Sequence, residues 1–180
     1  MAGIGFELRK YLDDDSFTGT MKAYGFAGLI SAGPWVLSIL GVMLIGIVAV
    51  SQKVGGIEVK QFTTSVTWIM GASLTLTGLL QLVFTRFIAD RLFEGKDHLI
   101  NPNLFGALLL TTVVSGLMAV GVMVTLFEES LAYEILMVAN FVTLSNIWIL
   151  VIFVAGLKKF KVILYSFFFG YTTTVALSIL

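Results

Sequence analysis

The sequence predicts an all-α, polytopic transmembrane helical bundle of about five spans with its N-terminus in the cytoplasm. Three observations carry that expectation. Of the 180 residues, 58% are hydrophobic and only 12% charged, whereas a soluble domain needs about a quarter charged residues to cover its surface. Five apolar runs, at residues 23–51, 62–85, 104–127, 131–157 and 162–180, match the roughly 18 or more residues of a membrane span. The basic residues, finally, collect on one side of the topology those runs imply. Backbone polar groups in lipid are satisfied only within helices or around closed barrels, and the alternating segments of a barrel are not visible.

Residues 1–22 precede the first run as a cytoplasmic segment, and residues 23–180 form the bundle. Glu7, Arg9, Lys10 and the run Asp13-Asp14-Asp15, followed by an apolar stretch twice the length of a signal-peptide core, exclude a cleavable leader. Ile4, Leu8 and Leu12 repeat every fourth residue, which fits a short interfacial helix; a loosely ordered tail is the alternative. Cysteine is absent, which removes disulfides, thiolate metal sites and cysteine nucleophiles.

The first span contains Gly33-Pro34 within AYGFAGLISAGPWVL. Pro34 lacks the N–H that would bond the Ile30 carbonyl, and its ring presses on that carbonyl, so a kink is expected. Ser31 is one candidate partner for the freed carbonyl. A packing bend and a hinge beside a pathway both remain open. In the second span Ser73, Thr77, Gln81 and Thr85 recur at spacing four and end beside Arg86. The Gln81 amide is costly in hydrocarbon and must face another helix or water. Arg86 and Asp90 are placed for an i,i+4 ion pair, although Arg86 can equally snorkel to the interface.

Small residues that permit close helix approach stand at Gly41 and Gly46 in the first span and at Ser115, Gly116, Ala119 and Gly121 in the third. The short connection Phe127-Glu128-Glu129-Ser130 makes spans three and four an antiparallel hairpin. Glu134 lies near the exterior end of the fourth span, in a wet position. Further along it, Asn140, Thr143 and Asn146 are explained equally by interhelical hydrogen bonds and by a substrate path. The fifth span is still running at Leu180, so it is expected to be incomplete.

With the N-terminus inside, Arg9, Lys10, Lys22, Arg86, Arg91, Lys96, Lys158, Lys159 and Lys161 fall on the cytoplasmic side, and only Lys53 and Lys60 fall outside. Nine against two is the asymmetry the positive-inside rule demands. Enzyme chemistry is not supported. There is no phosphate loop, no Ser/His/Asp arrangement and no H-E-x-x-H pair. The single His98, in the polar loop GKDHLINPN, reads as solvated. No cofactor, metal site or nucleic-acid partner is expected.

Four stretches carry a resemblance: MAGIGFELRKYL at the start, SAGPW at residues 31–35, QLVFTRFIADRLFEGK at 81–96 and LKKFKVILYSFFFGY at 157–171. In this order they resemble the PelG family of inner-membrane exopolysaccharide transporters, a branch of the multidrug/oligosaccharidyl-lipid/polysaccharide flippase superfamily. The resemblance implies about twelve helices in two lobes around a central cavity, alternating access, and a polysaccharide as cargo. It also implies partners in a synthase complex, namely a cytoplasmic glycosyltransferase and a cyclic-di-GMP receptor subunit. Five spans would be most of the first lobe, so an N-terminal fragment is expected.

Two functions follow from different classes. In a carrier, Gln81, Arg86, Asn140 and Asn146 line a substrate pathway beside the Gly33-Pro34 bend. In a scaffold that anchors a synthase, the same groups satisfy one another. A membrane-embedded glycosyltransferase is the weakest reading, because no acidic cluster lies near a cytoplasmic helix end.

Overall fold

The computed structural model describes residues 16–51, 55–126 and 130–179, and every described element is helical. The interfacial helix expected in residues 1–15, the Asp13-Asp14-Asp15 run, Lys53 and the Phe127-Glu128-Glu129 turn lie outside the described residues. The side chain of Ser31 also lies outside them, and Gly33 is described only as part of its helix.

Helix α1 spans Phe17–Ser51. Ser16 caps it, its hydroxyl accepting from the backbone N–H of Gly19 at 3.0 Å, which satisfies one of the unpaired donors of the first turn. The helix continues through Pro34. Helix α2 spans Gly56–Phe93, and a single 3₁₀ turn at Asp97–Leu99 leads into α3, Ile100–Leu126. Pro102 falls in the first turn of α3, where a missing N–H leaves no helical bond unmade. Helix α4 spans Leu131–Gly156 and α5 spans Phe160–Ile179.

Four stretches are long and apolar enough to cross a membrane: Gly56–Phe93, Asp97–Thr125, Leu131–Gly156 and Phe160–Ile179. A shorter apolar stretch, Val36–Ser51, belongs to α1. The chain is thus an all-α, multi-pass membrane protein. Its exposed surface agrees with a lipid solvent, for Trp68, Leu79, Leu117 and Val124 are each more than 70% exposed. In water such a surface would aggregate.

Two helices end in the same Schellman motif with different residues at its left-handed position. After α2, Gly95 has φ +69°; its N–H bonds the Leu92 carbonyl and the Lys96 N–H bonds the Arg91 carbonyl. After α4 the equivalent residue is Lys158, with φ +59°. Its N–H bonds the Ala155 carbonyl at 2.9 Å and the Lys159 N–H bonds the Val154 carbonyl at 3.1 Å. Lysine pays a steric penalty there that glycine does not.

The chain divides into two compact units. One comprises residues 1–63 with 154–180, the other residues 64–153. In the first unit α1 packs against α5. The contact depends on Gly41, where a Cβ would stand 2.2 Å from Cδ1 of Tyr171. No side chain fits between that backbone and the ring. Gly46, by contrast, has nothing within 4 Å of its absent Cβ.

The second unit contains most of α2 and α4 with all of α3. Short connections make consecutive helices antiparallel. One apolar cluster joins Phe84, Ile88, Ile100, Leu104 and Ile149, and a second joins Ile69, Ala119 and Phe141. Among the expected small residues of α3, Ser115 and Ala119 are buried, and a Cβ on Gly116 would stand 3.9 Å from Cγ2 of Val142. Gly121 meets nothing within 4 Å.

Candidate functional site

Between the two apolar clusters of the second unit lies a polar layer. On α2, Ser73 and Thr77 fall between Ile69 and Phe84; on α3, Thr111 and Ser115 fall between Leu104 and Ala119; on α4, Ser145 and Trp148 fall between Phe141 and Ile149. All six are buried. Hydroxyls can occupy such positions in lipid because a neighbouring carbonyl of the same helix accepts their proton. Thr77 donates to the Ser73 carbonyl at 2.8 Å, Ser115 to that of Thr111 at 2.6 Å, and Ser145 to that of Phe141 at 2.8 Å. Being small, they also let the helices come close.

One bond of this layer crosses between helices. The indole Nε1 of Trp148 donates to Oγ of Ser73 at 3.0 Å, and Ser73 Oγ reaches the Met70 carbonyl at 3.1 Å. Gln81 joins the same network from below, its Nε2 donating to Thr77 Oγ1 at 2.9 Å. Thr85 then donates to the Gln81 carbonyl at 2.6 Å. The spacing-four stripe is therefore a continuous ladder along α2, and Gln81 is half-buried in it. A further side-chain bond between Ser65 and Tyr133 ties α2 to α4 near the start of α4.

The α4 asparagines part company. Nδ2 of Asn146 donates at 2.9 Å both to Thr112 Oγ1 on α3 and to the Val142 carbonyl. Its Oδ1 is buried without a partner, and so is Oγ1 of Thr111. Asn140 is exposed, as is Thr143, and the Asn140 side chain makes no hydrogen bond to the described residues. Six residues amount to 600° of helical rotation, so Asn140 and Asn146 flank the packed face of α4 on opposite sides. Among the described residues no hydrogen bond joins Gln81, Arg86, Asn140 and Asn146 to one another.

Arg86 lies at the far end of α2. Its Nε stands 3.0 Å from Oδ2 of Asp90, with the two side chains 81% and 43% exposed, so water screens the pair and it contributes little to stability. One turn on, Arg91 bonds Glu94 at 2.6 Å and lies 5.4 Å from the centre of the Phe87 ring, and Lys96 shares Glu94 at 3.1 Å. His98 is exposed. No group of three or more metal-ligating side chains occurs among the described residues.

Sequence reading missed Trp148, Thr111 and Thr112. A tryptophan in the interior of an apolar span was a signal, because its N–H needs an acceptor wherever it is buried. The Thr111-Thr112 pair was another, since adjacent threonines point about 100° apart and one must face a neighbour.

No curated protein and no solved structure is detectably similar to the chain. The family comparison is positive over its whole length: residues 1–180 match PelG, described as "Putative exopolysaccharide Exporter (EPS-E)". A multi-pass helical chain with hydroxyls and amides held inside an apolar shell, matched from end to end, belongs to the PelG family of exopolysaccharide exporters.

Proposed function

We propose that this chain is part of a carrier that moves Pel-type exopolysaccharide across the bacterial cytoplasmic membrane by alternating access. In this reading its N-terminus is cytoplasmic, and it works beside a cytoplasmic glycosyltransferase and a cyclic-di-GMP receptor subunit that supply and regulate the polymer. No catalytic residue is assigned. The family match supports the export of polysaccharide in general; the nine-to-two distribution of basic residues supports the orientation.

The observation that carries the carrier reading is Asn140. It is the tenth residue of the 26-residue α4, near mid-depth if the helix crosses a bilayer, and its amide is exposed. An unpartnered amide in hydrocarbon costs several kcal/mol, on the order of a whole helix–helix contact. Asn140 therefore faces water or a polar surface instead of lipid. Asn146, with an unused buried acceptor, and Gln81, only half-buried, are the companions on this path.

The anchor reading draws on the opposite observation, that Ser73, Thr77, Gln81 and Trp148 satisfy one another. The two separate by reactivity. The chain has no cysteine, so Asn140→Cys can be introduced directly into the active complex, with Lys60→Cys, in the exposed first turns of α2, and Lys96→Cys, in the turn after it, as controls. A carrier gives labelling of the cysteine at 140 by a membrane-impermeant thiol reagent, changing in rate when polymer synthesis is switched on. If that site stays inert while the controls react, the carrier reading is wrong. The controls also test the orientation, since Lys60→Cys should label in intact spheroplasts and Lys96→Cys only after permeabilisation.

A further inference from the structure

The exposed face of α5 has a vertical profile that the export function does not explain. Its packed side is Ile163, buried, followed by the half-buried Leu164, Phe167, Tyr171 and Val175, with Tyr171 against Gly41. On the other side Lys161, Tyr165, Phe168 and Phe169 follow one another at helical spacing, all exposed. Tyr165 and Phe169 lie 6.4 Å apart by ring centres, and Phe168 meets Phe169 edge-on at 5.8 Å. Before this stripe stand Lys158 and Lys159, also exposed.

We propose that this face binds an anionic phospholipid in the leaflet where the α4–α5 turn lies. Lys159 and Lys161 hold the phosphate, Tyr165 sits at the glycerol level, and the Phe168–Phe169 pair receives an acyl chain. The heights agree, for one helical turn of about 5.4 Å separates Lys161 from Tyr165 and a second brings the phenylalanines. Basic residues at the end of a membrane helix attract acidic headgroups, and tyrosine prefers the interface.

Two observations favour lipid over a protein helix on this face. Helices associate in membranes through small residues that allow backbone contact, yet this stripe is lysine, tyrosine and two phenylalanines. A protein partner would also have to bring acidic groups to the membrane surface to meet the lysines. The Lys158 backbone adds a third indication. A left-handed residue other than glycine is strained, and α2 uses glycine at the same motif position. Lysine in its place puts a third cation in the turn at a steric cost.

The test uses the full natural chain, purified in mild detergent, with dioleoylphosphatidylglycerol or dioleoylphosphatidylcholine added and retention read by native mass spectrometry. The wild type retains phosphatidylglycerol well above phosphatidylcholine. The Lys159→Gln/Lys161→Gln variant binds it roughly thirtyfold more weakly, from the contribution of each lysine near an anionic surface, while Lys159→Arg/Lys161→Arg and the remote Lys60→Gln bind it like wild type. Millimolar inorganic phosphate leaves the lipid in place. The proposal is overturned if the glutamine variant, folded by its unchanged melting temperature, retains the lipid like wild type. Equal retention of phosphatidylcholine overturns it too, as does displacement by phosphate, which would mark a simple anion site.

Discussion

The α1–α5 pair and the three-helix unit meet the same difficulty by different means. Between lipid-solvated helices there is no hydrophobic force to exploit, because acyl chains are as apolar as leucine. The pair removes a side chain: at Gly41 the backbone itself accepts the face of Tyr171. The three-helix unit keeps its side chains and makes most of them small, with six buried residues in a layer of hydroxyls and one indole between apolar clusters, all but Thr111 hydrogen-bonded through their side chains. The first contact rests on the close fit at Gly41. The second adds directional bonds, and its Trp148–Ser73 link specifies how α4 sits against α2. The polar groups proposed to meet substrate all lie in the unit that already uses polar groups for packing.

The comparison can be broken most forcefully at an apolar cluster. Ile88 is fully buried among Phe84, Ile100, Leu104 and Ile149, so Ile88→Ala leaves a cavity and should cost about 2–4 kcal/mol. Unfolding measured by steric trapping in bicelles would show it. A loss below that of the hydroxyl variants would mean that the polar layer, and not the clusters, holds the three helices together.

At Gly41 even one methyl group is too much, because it would overlap the near side of the Tyr171 ring. Gly41→Ala should cost about 1–3 kcal/mol, and Gly46→Ala, in open space, should be neutral or slightly stabilising. Replacing the ring in Gly41→Ala/Tyr171→Ala should recover part of the loss. If Gly41 and Gly46 tolerate alanine equally, shape is not what seats α5 on α1.

The two Schellman ends provide a smaller and opposite pair of effects. Lys158→Gly should stabilise the turn by about 1 kcal/mol and Gly95→Ala should destabilise its own by a similar amount. Thermal melting of the two variants in the same detergent compares them directly. Equal shifts of one sign would show that neighbouring contacts, and not backbone conformation, decide these turns.

Much of this architecture is legible in the sequence, because a bilayer demands long apolar runs and leaves few alternatives for their backbones. The ladder Ser73, Thr77, Gln81, Thr85 is legible too, since spacing four is a property of one helix. What spans two helices is not. Gly41 and Gly46 look alike in a helix that is apolar all round, where periodicity no longer says which face meets a neighbour, yet only Gly41 meets an aromatic ring. Asn140 and Asn146 read alike, as interhelical bonds or as a substrate path, yet they flank the packed side of α4 and only Asn146 reaches α3, through Thr112. Lys158 gives no sign of its left-handed backbone, because Gly156, two residues earlier, is the residue that invites a helix end there.

The smallest effect is the one that discriminates best, because it isolates direction from size. Trp148→Phe keeps most of the ring and deletes the N–H donor; Ser73→Ala deletes the acceptor with little change of volume. Each alone should destabilise, since each removes the side-chain bond between α2 and α4. Their double variant should cost less than the sum, and the difference is the strength of the bond, about 0.6 kcal/mol if it resembles other hydrogen bonds between membrane helices. A coupling of zero would reduce the polar layer to small volumes, and the three-helix unit would then be held as the α1–α5 pair is. A clear coupling would leave Ser73 and Trp148 committed to structure, and the exposed amide of Asn140 would remain the group on which the proposed carrier role rests.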